Sequence, residues 1–318
     1  MNRANILAAV SIVMFLAAFE QPAGGAVKAP DERDKPVVVV QIEDVARFYK
    51  IYDGADGHPT ADQLQHDYLD QGTAGLHTFA QLRNITGIRI ADTLARTPKI
   101  YVDAKRCMIV LPQARERIKI ALSKLAEIYP DAKFPAVTIA VGRGKPVGVG
   151  SPVSGVMIGL EALCGVTYFD SNVEDRFVHV VAHEYIHVQQ VRALVDDDHP
   201  TVLEGSLIEG AAEFMAESIS GGISDPGVWA EAKGRETKIE TAFVPNEDRT
   251  DLSNWLYNGT MEKAGDLGYW VGYRIVKSYY QHATDKGQAI RDIVQMNDPK
   301  AFLAKSGWYP GINLGDSR

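Results

Sequence analysis

The strongest constraint on the fold is the segment 181–187, in which two histidines four residues apart flank a glutamate. On an α-helix, side chains at positions i and i+4 project from the same face, so His183 and His187 can reach one ion together. Buried imidazoles and a buried carboxylate are costly unless something pairs them. The segment therefore predicts a helix that needs a partner at this place. Apolar residues able to bury it surround the histidines: Phe177, Val178, Val181, Ile186 and Val188.

The segment has the pattern H-E-x-x-H, in which the histidines bind zinc and the glutamate acts as general base. The sequence thus predicts His183 and His187 as ligands of Zn²⁺ and Glu184 as the catalytic residue. The alternative is a core helix with two hydrogen-bonded histidines. His179 fits less well, because it lies roughly 12 Å from His187 along a helix axis. His199 stands in a polar loop without a supporting neighbour.

A catalytic zinc site needs a third protein ligand and one open position. The next predicted helix, 201–219, carries Glu209 and Glu213 one turn apart on one face. The small residues 210–212 would let this helix approach the first one closely. We therefore predict Glu209 as the third metal ligand. Glu213 is predicted as the outer carboxylate that hydrogen-bonds a ligand histidine. The alternative is a solvated acidic face.

The order of elements favours an α+β fold, mainly helical, with a small sheet before the helix that carries the two histidines. Alternating apolar residues predict a strand over 137–141, and 156–160 is predicted as a second short strand. The Gly/Pro-rich stretch 142–155 between them is predicted as a loop or a wide hairpin. Helical spacing of apolar residues predicts the remaining elements: 36–53, pieces of 61–95, 113–129, 173–194, 201–219, 226–242, 267–281, 286–295 and 299–305.

The N-terminus has the layout of a secretory signal peptide, with Arg3, an apolar run over 6–19 and small residues up to Ala26. The run is shorter than the roughly 20 apolar residues that cross a bilayer. We predict cleavage near Ala26 and export to the periplasm or the medium, with an uncleaved anchor as the alternative. No transmembrane segment is predicted in the mature chain. The rest divides into a mostly helical N-terminal region, 27–130, and a catalytic region, 131–318.

The net charge bears on which partners the chain can bind, and the cysteine content bears on whether it forms a disulfide. The formal net charge of −8 argues against nucleic acid, since phosphate binding needs clustered Lys and Arg. Cys107 and Cys164 are the two cysteines of the sequence. An exported protein can pair them, but both flank apolar segments, so two buried thiols are an equal alternative.

These residues resemble a known pattern. The segment 183–187, followed by Glu209-Gly210-x-Ala212-Glu213-Phe214, resembles the gluzincins, metallopeptidases in which a downstream helix supplies the third zinc ligand. More closely, the chain resembles an exported zinc-dependent protease family, domain of unknown function 2268, that is related to gliding-motility lipoproteins. The resemblance covers most of 135–305 and implies a zincin-like metallopeptidase fold. The spacer from His187 to Glu209 is longer than in thermolysin-like relatives, and the lipidation cysteine of the lipoproteins is absent.

The resemblance also implies a reaction, in which a zinc-bound water activated by Glu184 hydrolyses a peptide or protein substrate. Gluzincins take an oxyanion donor from a later helix, so Tyr269 and Tyr273 become catalytic candidates, unless this aromatic stripe is core. The strand over 156–160 would be the edge strand that pairs with an extended peptide. Two other functions stay open: a non-catalytic zinc-binding envelope protein derived from a protease, and a zinc hydrolase of a small amide or ester.

Overall fold

The computed structural model describes residues 38–145, 147–151, 153–166, 170–260 and 265–315. The predicted signal peptide lies outside these residues. Within them, no helix combines the length and the apolar character needed to cross a membrane. The fold is α+β and mainly helical, as predicted.

The N-terminal part is helical apart from one short strand. The chain enters through β1 (Val40–Gln41) and α1 (Glu43–Gly54), so the helix predicted over 36–53 begins later than expected. Threonine side chains accept backbone hydrogen bonds at the starts of the next three helices, and Pro98 occupies the first turn of the fourth. These elements are α2 (Ala61–Gln63), a π-helical turn (Leu64–Leu69), α3 (Ala74–Arg83), α4 (Gly87–Arg96), α5 (Pro98–Cys107), a 3-10 turn (Met108–Val110) and α6 (Leu111–Ile128).

Among the described residues, a four-stranded sheet follows this helical part. It contains β1 with β2 (Val137–Ala140), β3 (Gly148–Ser151) and β4 (Gly155–Gly159), in the order β1-β2-β4-β3. The first three strands in this order run parallel, and β3 runs antiparallel to β4. Both predicted strands are confirmed, and the predicted hairpin has β3 as its first arm.

The strand order corrects one expectation. The segment 156–160 was expected to be the edge strand, but β4 is covered on one side by β2 and on the other by β3. Among the described residues, the edges of the sheet are therefore β1 and, on the side of β4, β3. Its sequence, Gly148-Val149-Gly150-Ser151, has too little apolar alternation to be recognised as a strand.

Four helices follow the sheet and carry the predicted site: α7 (Leu160–Gly165), α8 (Val173–Gln189), α9 (Arg192–Val195) and α10 (Val202–Ser220). The Asn172 side chain caps α8, and Thr201 with Glu204 forms a capping box on α10. Helix α10 ends at Gly221, whose φ of 89° lies in the left-handed region. The helix predicted over 173–194 is interrupted because Gln190 adopts an extended conformation.

The remaining helices pack against one another and against α10. They are α11 (Pro226–Ala232), α12 (Glu236–Phe243), a 3-10 turn (Val244–Asn246), α13 (Leu267–His282), α14 (Lys286–Val294) and α15 (Pro299–Lys305). The single helix predicted over 226–242 is broken near Gly234, which has a φ of 76°. The helices predicted over 267–281, 286–295 and 299–305 are confirmed within one residue at each end.

Helices α10 and α13 cross with their backbones in contact. A Cβ on Gly210 would lie 2.1 Å from the carbonyl carbon of Gly272, and one on Gly272 would lie 1.7 Å from Ser206 O. The small residues of α10 were expected to face α8. Gly210 instead permits the close approach of α13, which thereby fixes the rear of α10.

The two cysteines are paired. Cys107, at the end of α5, forms a disulfide with Cys164 in α7. Of the two alternatives left open by the sequence, the structure has the disulfide. It ties the N-terminal helices to the segment that leads from β4 into α8.

Candidate metal centre

Helices α8 and α10 lie side by side and bring the three predicted ligands to one point. His183 Nε2 lies 3.1 Å from His187 Nε2, and Glu209 Oε2 lies 3.2 Å from each of these nitrogens. All three residues are buried. Within the part of the chain that the structure describes, they form the group whose ligand atoms converge closely enough to hold a metal ion.

The distances among these atoms fit a zinc site. Zinc bonds of about 2.0–2.1 Å in a tetrahedron place neighbouring ligand atoms roughly 3.3 Å apart. The separations here, 3.1 and 3.2 Å, are close to that value. Three electron-rich atoms facing one another in a buried site repel unless a proton or a cation lies among them. The residues present are therefore suited to a divalent metal.

The other nitrogen of each imidazole is held from behind. His187 Nδ1 lies 2.7 Å from Gln190 Oε1, and Gln190 Nε2 donates to Ile208 O on α10 at 2.8 Å. Since an amide oxygen only accepts, this contact assigns the proton to Nδ1 and leaves the Nε2 lone pair for a metal. His183 Nδ1 lies 3.0 Å from Glu213 Oε1, although its N–H is not aligned as in a hydrogen bond. Glu213 thus stands where the outer carboxylate was predicted.

The histidines and glutamates of this site shift one another's pKa values. Burial by itself lowers the pKa of His183, but Glu213 and Glu209 outweigh burial and raise it well above its ordinary value. For His187, burial also acts downward, and Glu209 raises the pKa overall. Burial raises the pKa of Glu209, yet the two histidines reverse this and hold it far below its usual range. A metal entering the site must therefore displace a bound proton.

Glu184 lies between the two histidines on α8 and lines the same cleft. Burial raises the pKa of its carboxyl group, and the histidines and the Gly150 backbone N–H oppose this only in part. A raised pKa brings a carboxylate closer to the range in which a general base is effective. Strand β3 presses on α8 here, because a Cβ on Gly150 would lie 1.8 Å from Glu184 O.

An open cleft of about 660 Å³ contains the metal centre. Two tyrosines at the centre line it. The Tyr257 hydroxyl donates to Glu209 Oε1 at 2.8 Å, so the carboxylate oxygen that faces away from the histidines is also held. The Tyr269 ring stacks on His183, with 6.0 Å between ring centroids. The side of the centre that faces the cleft is therefore bordered by phenol groups.

The structure separates the two tyrosines proposed from the sequence. Tyr269 lines the cleft. Tyr273, one helical turn later on α13, is buried, and its hydroxyl donates to Glu217 on α10. Its ring packs edge-on against Trp229. Tyr273 therefore lies within the helical core and does not reach the cleft. This agrees with the alternative that the aromatic residues at this place belong to the core.

Several residues at the centre were not found from the sequence. Gln190 follows His187 by three residues, a helical spacing that could have marked it as a partner. The two glycines of β3 alternate, which leaves one strand face without side chains. Tyr257 carries no such signal, because it lies in a loop 48 residues from Glu209. His179 lies outside the centre and contacts Ser220 Oγ at 2.8 Å.

Residues 154–302 match the model of a protein family whose members are predicted to be zinc-dependent proteases. The family is the one described as Predicted Zn-dependent protease (DUF2268), so the resemblance drawn from the sequence is confirmed over this stretch. The matched residues include α8, α10 and α13, whereas the whole of β3 precedes them. No curated protein and no solved structure matches the chain.

Proposed function

We propose that the protein is a zinc-dependent peptidase that cleaves extended peptides in the open cleft. The observation that carries this proposal is the convergence of His183 Nε2, His187 Nε2 and Glu209 Oε2 within 3.2 Å, with Glu184 on the same helix. A purely structural zinc site is usually closed by four protein ligands and needs no adjacent base. Here three candidate ligands border a cleft that a substrate can enter.

In the proposed reaction each residue of the site has its own role. His183, His187 and Glu209 would hold zinc, with Glu213 and Gln190 fixing the orientation of the two imidazoles. Zinc bound in such a site supplies Lewis-acid activation of a carbonyl group and a water nucleophile near neutral pH. Glu184 takes the proton from the attacking water and passes it to the leaving amine. Tyr269 borders the cleft and would donate a hydrogen bond to the developing oxyanion, whereas the Tyr257 hydroxyl already donates to Glu209.

Strand β3 supports a peptide as the substrate. Val147 O accepts from Gly159 N on the β4 side, so by alternation Gly148 and Gly150 turn their backbone groups toward the open edge. That edge lies along the cleft, where an extended peptide can add as a further strand. An open cleft with a strand edge favours a peptide over a small amide or ester, which calls for an enclosed pocket.

Two features support an exported protein. The segment 1–26 has the layout of a signal peptide. The Cys107–Cys164 disulfide suits an oxidising compartment outside the cytoplasm. The division into an N-terminal region, 27–130, and a catalytic region, 131–318, stays a prediction.

The direct test is hydrolysis by the zinc-loaded protein. We expect it to cleave casein or a mixed peptide library, with loss of activity on chelation and recovery with added zinc. Glu184→Gln is expected to keep its zinc and to lose activity by about 100-fold or more, since the proton acceptor is gone. Glu127→Gln, an exposed position on α6, is the matched control. Undiminished hydrolysis in Glu184→Gln would remove the base from the proposal, and a zinc-loaded protein that cleaves no peptide would overturn the function.

A further inference from the structure

A second, smaller cavity of about 220 Å³ opens on the other side of the proposed base. It shares four lining residues with the main cleft: Gly148, His183, Glu184 and Tyr269. It therefore adjoins the position where the scissile bond would lie. A side chain of the substrate next to that bond has this cavity as its nearest space.

The lining of this cavity has an apolar part and a polar part. Val147 and Val180 provide apolar surface beside the Tyr269 ring, and Ser224, Asp225 and Asp266 provide the polar groups. Ser224 is committed to Glu213 through both its N–H and its hydroxyl. Apart from His183 and Glu184, which the cavity shares with the main cleft, its titratable carboxyl groups are those of the two aspartates.

Asp225 is nine-tenths buried, with 7% of its surface exposed. Its Oδ1 caps α11 by accepting from the N–H groups of Gly227 and Val228 at 3.0 and 3.3 Å. Within the described part of the chain, no donor contacts its Oδ2, and no cation pairs with its charge. A carboxylate that is mostly buried and has no cationic partner is costly when ionised, unless a ligand supplies the missing charge.

Asp266 strengthens the same negative potential. Its Oδ1 accepts from Asn258 N at 2.8 Å, and its backbone is held in the left-handed region with a φ of 49°. Burial, first of all, raises the pKa of Asp225 to about 8 and that of Asp266 to about 6, as expected of buried carboxylates. These aspartates are not part of the group of residues close enough to form a metal site. A cationic group on the substrate would supply the missing charge.

We propose that this cavity is a specificity subsite that receives the side chain of a lysine or arginine adjacent to the cleaved bond. The methylene stem of such a side chain packs along Val147, Val180 and Tyr269, while its charged end reaches Asp225 and Asp266. The inference rests on the proposed peptidase function and adds the class of residue that it prefers.

The first test maps cleavage sites. The zinc-loaded full chain is given a denatured protein mixture, and the new termini are identified by mass spectrometry. We expect Lys and Arg to be enriched at one fixed position beside the cleaved bond. Efficient cleavage without this enrichment overturns the subsite and leaves the peptidase function standing. Release of single amino-terminal residues alone also overturns it, because the cavity would then bind a terminal ammonium group. No cleavage at all overturns both.

The second test separates Asp225 from general damage. Two peptides that differ only by lysine or norleucine at the enriched position are compared. The lysine-to-norleucine ratio of kcat/KM is expected to fall about tenfold or more in Asp225→Asn. Asparagine keeps an oxygen for the cap on α11. Asp285→Asn, another capping aspartate at the start of α14, is the matched control and should keep the wild-type ratio.

A binding measurement makes the inference independent of turnover. In the Glu184→Gln background, calorimetric titration should show the lysine peptide binding about tenfold more tightly than the norleucine peptide. Adding Asp225→Asn should abolish this difference. Equal affinities in the Glu184→Gln protein would overturn the subsite even if peptide cleavage had been established.

Discussion

Gly148 of β3 lies directly against the carboxylate of Glu184, so that a Cβ on Gly148 would stand 2.5 Å from Glu184 Oε1. Real Cβ atoms do not approach other atoms so closely, and something would have to shift. Strand β3 is held by its pairing with β4, in which Gly148 stands opposite Ile158. The carboxylate is the more movable partner, so the missing side chain of Gly148 leaves room for the proposed base.

A Gly148→Ala variant should therefore lose activity without losing metal. Displacing a catalytic group by about 1 Å can cost about 100-fold in rate, and we expect kcat to fall roughly 10- to 100-fold. The zinc content should equal that of the wild type, because the atoms nearest to the new methyl group belong to Glu184 and not to the three candidate ligands. Gly54→Ala is the control, since a Cβ at Gly54 meets nothing within 4 Å. A Gly148→Ala protein with full kcat would show that β3 does not position Glu184.

Glu209→Gln tests the third ligand. The change keeps the size of the side chain but removes the charge that holds both imidazoles, so zinc affinity should fall by at least about 100-fold. Competition with a metal-binding dye measures this affinity. Glu204→Gln on the same helix is the control, because glutamine also serves in a capping box. Stoichiometric, tightly bound zinc in Glu209→Gln would remove Glu209 from the set of ligands.

Tyr269→Phe and Tyr273→Phe should have opposite consequences. Tyr269 borders the cleft, so loss of its hydroxyl should lower kcat by roughly 10-fold or more with little change in the free energy of unfolding. Tyr273 donates to Glu217 in the core, so its loss should lower that free energy by about 1–3 kcal/mol and leave kcat within about twofold. Steady-state kinetics and urea unfolding on both variants make the comparison. A larger fall of kcat in Tyr273→Phe would reverse the assignment.

Asp225 should give the free energy of unfolding a pH dependence. Its pKa is about 8 in the folded protein, against an ordinary value of 3.8. Between these values the folded form keeps a proton that the unfolded form has lost, so stability falls as the pH rises. Asp225→Asn removes this effect. Relative to the wild type, the variant should gain roughly 1–4 kcal/mol between about pH 5 and pH 8.

Urea unfolding at the two pH values, with zinc saturating in all samples, measures this gain. Asp285→Asn, on the surface at the start of α14, should show the same difference from wild type at both pH values. If Asp225→Asn also differs from wild type by a constant amount, the carboxyl group is ionised in the folded protein throughout this range.

Local spacing was enough to predict which side chains converge at the candidate metal centre. The i, i+4 relation predicts that His183 and His187 meet, and a glutamate preceding a small-residue run in the next helix identifies Glu209. Both are properties of single helices. The strand order could not be derived in this way, because it depends on which hydrogen-bonding edges meet across loops, and the side chains of β3 are too small to give a pattern. Tyr257 could not be predicted as a residue of the site for a related reason, since only the packing of a distant loop brings its hydroxyl to Glu209.

The crossing at Gly210 and Gly272 has a consequence for the centre in front of it. Glu209 is the immediate neighbour of Gly210, so the reach of its carboxylate toward the imidazoles is set by how far α10 can recede onto α13. Bulk added at either glycine would push α10 forward as a rigid rod and crowd the three donor atoms. Such a change, although remote from any substrate, would alter the affinity of the site for a metal ion.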